Sequence, residues 1–187
     1  MLVEAEIWTI ARTDQGNAVL VRPIGSDTTV PIFIGQLEAQ SILIGMGNVP
    51  MPRPLTHDLL LSVMQKAELR IERVEITALK DGTFFAQLIV KQRGKSIAID
   101  SRPSDGIALA VRDKCPLFID EEVVEEAGIP VSTITDQVES VEQPGVKKME
   151  LEKLKMDLDK AVEDENYEEA ARLRDLIDEY DESNPEG

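Results

Sequence analysis

The stretch IFIGQLEAQSIL, residues 32–43, and the stretch IAIDSRPSDGIALA, residues 97–110, follow one plan. Each opens with an apolar run of strand type, turns at small or acidic residues, and continues into an amphipathic helix. PLFIDEEVVEEA, starting at Pro116, echoes the first of them. The two stretches start about 65 residues apart, and two readings follow. Either any strand–turn–helix unit looks this way, or a unit of three strands and a helix is duplicated. Both lead to an α+β domain with a mixed or antiparallel sheet, not to a doubly wound one.

Working outward, residues 2–11 and 18–24 read as strands around the turn at 14–17. Val30-Pro31-Ile32-Phe33-Ile34 is a third strand, and 36–46 a helix that stops at Gly47. Thr56 is expected to cap a helix running through Leu59, Leu60, Val63, Met64 and Ala67, after a proline-rich loop. The clearest hairpin is 69–79 with 84–92, where Asp81-Gly82 makes the turn. A strand over 96–100 then leads to a helix over 103–112 with Pro103 in its first position. A short strand, 117–119, and a helix, 121–127, complete the domain. Trp8, Phe33 and Phe118 fall in strands and are expected in the core.

The chain carries 20 Lys+Arg against 36 Asp+Glu, a formal net charge of −16. Such a chain is repelled by the phosphate field, so broad electrostatic binding of nucleic acid is disfavoured and any binding of RNA or DNA is expected to be weak and to come from a local patch. No run of 18 apolar residues is present, so a membrane-spanning helix is excluded. The single cysteine, Cys115, excludes an intrachain disulfide framework and a multi-cysteine zinc site. MLVEAEIW is acidic where a signal peptide needs positive charge, and a cytoplasmic location is expected. No glycine-rich phosphate loop follows any strand.

Residues 144–187 hold 7 basic and 15 acidic residues, several times the charge density of the preceding part. Within them Leu151, Leu154, Leu158 and Ala161 form one apolar stripe, and Ala170, Leu173, Ile177 and Tyr180 another. This reads as a helical hairpin over 147–182, behind a domain over 1–130 and a linker over 131–146. A hairpin so short cannot bury enough surface alone, so it is expected to pair with a copy of itself, giving a homo-oligomer, to dock on another protein, or to lie on its own domain.

Several side chains could take part in hydrolytic chemistry, which requires an activated water and, on an anionic group, local positive charge. Asp58, Asp100 and Asp105 are carboxylates suited to a hard cation such as Mg²⁺ or Mn²⁺, with Asp100 and Asp105 the metal candidates. His57 is the one histidine and the natural proton carrier. Arg53, Arg102 and Arg112 offer a phosphate patch, and Ser104 a donor at a helix start. Each also has a plain structural reading as a cap, an ion pair or a packing residue. Thr56–Asp58 and Asp100–Asp105 both lie at helix starts, where free N–H groups favour anions. Two such starts facing one cleft would make a local anion site on an acidic protein.

Residues 148–180, with NYEEAARLRDLI (166–177) the most specific piece, resemble the UVR motif of UvrB and UvrC. That resemblance implies protein–protein pairing through Leu154, Leu158, Tyr167, Ala170, Leu173 and Ile177. PIFIGQLEAQSI (31–42), PRPLTHDLL (52–60), DGTFFAQLIV (81–90) and SRPSDGIALAVR (101–112) resemble the bifunctional nuclease domain family, in that family's order. The resemblance implies a nuclease acting on RNA and DNA. A non-enzymatic adaptor assembling through the hairpin is the competing class, and the acidity favours it.

Overall fold

A computed structural model describes residues 1–13, 16–135, 139 and 140, and in the tail 154, 158, 161, 166, 167, 170–174 and 177. The chain divides into two units, Met1–Glu142 and Gln143–Gly187.

The first unit is α+β. Its elements are β1 (Leu2–Thr13), β2 (Gly16–Pro23), β3 (Thr28–Ile34), α1 (Gln36–Met46), α2 (Thr56–Lys66), β4 (Leu69–Lys80), β5 (Thr83–Gln92), β6 (Lys95–Ser101), α3 (Pro103–Asp113), β7 (Leu117–Asp120), α4 (Glu121–Ala127), β8 (Ile129–Pro130), α5 (Val131–Thr135) and β9 (Glu139–Ser140). One sheet runs β6-β5-β4-β7-β1-β2-β3-β8, and β9 pairs with β1. β1-β2-β3 and β4-β5-β6 are antiparallel meanders, and a helix follows each. β7 joins them, antiparallel to β1 and parallel to β4. The three-strands-then-helix layout therefore occurs twice.

Alternation decides which side chains meet the helices. Val19, Val21, Val30, Ile32, Val74, Ile76, Leu88 and Val90 pack with Ala39, Ile42, Met64, Ile107 and Val123 in one core. Ile42, Ile76, Ile107 and Ile119 are fully buried, each contributing about 1.5–3 kcal/mol. Phe33 corrects an expectation: one residue on from Ile32 it points to the other face and is 52% exposed. A second correction concerns the linker. Residues 131–135 form α5 and Glu139–Ser140 pair with β1, so the first unit extends to Glu142, not 130. Of the first turn, Asp14 and Gln15 lie outside the described residues.

In the tail, residues 154, 158, 161, 167, 170–174 and 177 are helical and Asn166 is not. Ala161, Ala170 and Leu173 form a small buried cluster flanked by Leu154 and Leu158. Ile177 is buried and Tyr167 exposed. Leu151 and Tyr180 lie outside the described residues. Among the described residues no helix is long and apolar enough to cross a membrane.

Candidate functional site

The site is assembled from the starts of three helices. Each carries an acid at its third position, where a carboxylate meets free N–H groups: Glu38 on α1, Asp58 on α2 and Asp105 on α3. The residue preceding α2 is Leu55, not Thr56, which corrects the expected cap. Leu55 offers the first turn no side-chain acceptor, and the helix start is tied instead by Asp58 Oδ2, which accepts the Leu55 N–H at 2.8 Å.

Two arginines of the α3 segment join these acids. Arg102, immediately before α3, donates from Nε to Asp105 Oδ2 at 2.7 Å and from Nη2 to Asp105 Oδ1 at 3.1 Å. Its Nη1 donates to Glu38 Oε1 at 3.2 Å. Arg112, in the last turn, donates from Nε to Asp58 Oδ1 at 2.8 Å, from Nη1 to the Ala108 carbonyl at 2.7 Å and from Nη2 to the Ser41 carbonyl at 3.0 Å. A Cβ at Gly45 would lie 2.8 Å from Arg112 Nη1, so α1 admits this guanidinium only because residue 45 is glycine.

His57 lies between the two clusters. Its Nδ1 is hydrogen-bonded to Ser41 Oγ at 3.0 Å, and its Nε2 is 3.6 Å from Asp105 Oδ1. The second distance is ion-pair range and too long for a hydrogen bond. The starts of α2 and α3 thus do face each other. Burial works to raise the Asp105 carboxyl, but the Arg102 pair and then His57 outweigh it and hold it below its ordinary value. The same pair, with Glu38 adding, raises Arg102.

Several expectations require correction. Arg112 is not part of an exposed phosphate patch: its side chain is 7% exposed and its donors are committed within the fold. Asp58 has both oxygens engaged and is a structural acceptor. Ser104 is buried. Asp100 stands on the exposed edge strand β6 opposite Gln87, outside the network. Among the described residues no group of three or more His, Cys, Asp or Glu gathers as metal ligands. Of the two metal candidates, Asp105 has both oxygens paired with the Arg102 guanidinium and Asp100 stands on β6. Arg53 is exposed beside a pocket of about 500 Å³ that Asp58, Leu61 and Arg112 also line. Burial pushes the Cys115 thiol up to about 11, which disfavours its thiolate at neutral pH.

Glu38 and Ser41 were missed from the sequence. Both sit in a stretch legible only as a helix, and their roles arise when α1 meets α3 in space. The N3 acids, repeated at three helix starts, were the available signal for Glu38.

The chain matches the family model described as the bifunctional nuclease domain over residues 19–132, and the UvrB/uvrC motif over 148–183. An uncharacterized protein of Mycobacterium tuberculosis (strain ATCC 25618 / H37Rv) is 35% identical over 147 residues, 79% of this chain and 86% of that protein. Bifunctional nuclease 1 of Arabidopsis thaliana is 27% identical over 180 residues, 87% of this chain and 55% of that protein. Bifunctional nuclease 1 of Oryza sativa subsp. japonica is 26% identical over 176 residues, 85% of this chain and 53% of that protein. Three of the four carrying stretches of the sequence, those around Glu38, His57 and Asp105, supply the cluster just described, and the protein belongs to the bifunctional nuclease domain family, with a UvrB/uvrC motif behind that domain.

Proposed function

We propose that this protein hydrolyses phosphodiester bonds of RNA and DNA at the His57–Asp105–Arg102 cluster. The observation that carries the reading is His57 Nε2 at 3.6 Å from Asp105, which is itself clamped to Arg102. Ser41 fixes Nδ1, so Nε2 is the atom placed to exchange a proton. In the step proposed, Nε2 takes a proton from the attacking water as its oxygen bonds to phosphorus. The bond to the leaving oxygen breaks, and that oxygen receives the proton. Asp105 steadies the imidazolium, and Arg102 meets the charge on the phosphate oxygens.

The tail acts in this reading as a pairing element for a second copy or another protein, on the support of its motif and its apolar cluster. The adaptor reading keeps one observation in its favour: Asp58, a candidate catalytic carboxylate, and Arg112, a candidate phosphate ligand, are consumed by the fold. Incubating the purified chain with single-stranded RNA and DNA, with and without EDTA, separates the two. Cleavage that persists in EDTA and disappears in His57→Ala is expected. Absence of cleavage with Mg²⁺, Mn²⁺ or chelator would leave the adaptor.

A further inference from the structure

Arg102 differs from an ordinary surface arginine in how much of it is fixed and how much is still open. Its side chain is 66% exposed, yet three of its five N–H groups are held by carboxylates on two different helices. Asp105 takes the side-on pair, and Glu38, from α1, takes one on Nη1. Among the described residues, one N–H on Nη1 and one on Nη2 have no partner. These two donors belong to one planar group and are left for the oxygens of a ligand phosphate.

We infer that Glu38 is a positioning residue that holds Arg102 as a preset fork for a single backbone phosphate of RNA or DNA, an inference that rests on the phosphodiesterase reading above. Asp105 alone would let the guanidinium swing about one edge; the second carboxylate, on another helix, fixes its plane. Gly35, the residue before α1, makes room for this. A Cβ built there would overlap Glu38 Oε2, while the backbone at φ −70° suits any residue. A methyl at position 35 therefore displaces the Glu38 carboxylate without removing its charge. Because the fork meets phosphate and neither sugar nor base, it contributes equally to RNA and DNA. A single fork in a chain of net charge −16 also keeps binding weak and its salt dependence shallow.

Charge and positioning make opposite predictions for Glu38→Gln. If the carboxylate acts only by its charge, its removal lowers repulsion and tightens binding of a polyanion. If it positions Arg102, its removal weakens binding. The test is anisotropy of fluorescein-labelled oligo(dT) and oligo(rU) with the full chain, its Glu38→Gln, Gly35→Ala and Arg102→Lys variants, and thermal melts of each. Cleavage of the same probes is followed in parallel. Dissociation constants should rise about three- to tenfold for both probes in the first two variants, as for loss of one charge-assisted hydrogen bond. Arg102→Lys should be at least as weak, since an ammonium has no fork. Melting temperatures should stay within a few degrees. Unchanged or tighter binding by Glu38→Gln, or unchanged binding by Gly35→Ala, would overturn the inference, as would a wild-type chain that binds neither probe. Expected shifts in binding with no cleavage by the wild type would refute the hydrolytic reading and leave the fork standing.

Discussion

The two ends of α3 each present an arginine to carboxylates, and they use it in opposite ways. At the C-terminal end Arg112 is 7% exposed and ties α3 to α1 and α2 through Ser41 and Asp58. At the N-terminal end Arg102 is 66% exposed and held from two sides with donors to spare. Residue type is the same, but depth decides the role. A buried guanidinium must satisfy its donors within the fold, whereas an exposed one can leave some for a ligand.

The comparison breaks most readily at the buried end. Arg112→Ala leaves Asp58, the Ser41 carbonyl and a cavity without their partner, a loss of about 2–4 kcal/mol. A fall in melting temperature of about 5–15 °C should follow in calorimetry, and with it loss of all activity. A change under about 2 °C would mean that this end is not the strut described.

Arg102→Ala should separate the two properties. Exposed ion pairs contribute about 0–1 kcal/mol, so its melting temperature should lie within about 2–4 °C of wild type. Cleavage, measured in the same preparations, should drop at least tenfold, in line with loss of a bidentate phosphate contact. A variant that melts early and cleaves normally would make the two ends alike.

The smallest effect is on acid stability. Asp105 is held below its ordinary value, so the stability it brings is fully present above about pH 4, the unfolded carboxyl range, and is lost as pH falls through the lower folded value. Melting followed by circular dichroism from neutral pH to about pH 3 should show a slightly shallower acid decline in Asp105→Asn than in wild type. Equal declines would remove Asp105 from the acid response.

Much of the first unit was legible because alternation and turn chemistry act over a few residues. The β4–β5 hairpin follows from alternating apolar residues around Asp81-Gly82, and α3 from Pro103 at its start. His57 and Asp105 were legible as a pair because both open helices. Phe33 was not, since its strand looks apolar on both faces and only the position of the helices selects one. Nor was Arg112, whose spacing on α3 is that of an exposed last-turn cation; only the approach of Gly45 shows it to be enclosed. Glu38 and Arg102 meet across 64 positions of sequence, a distance that no local pattern reports.

The insertion of β7 between β1 and β4 also bears on how the chain reaches this state. Each meander closes through short turns, so its strands find one another quickly. β7, by contrast, pairs Leu117–Asp120 with Leu2–Ala5 at the far end of the unit. Closing a loop of that length is slow compared with hairpin formation. The α3 segment, which carries both arginines, lies inside that loop just ahead of β7. Completion of the site is thus tied to a strand pairing across more than 110 positions of sequence, and a chain stalled with two finished meanders would hold every one of the site's residues and none of its geometry.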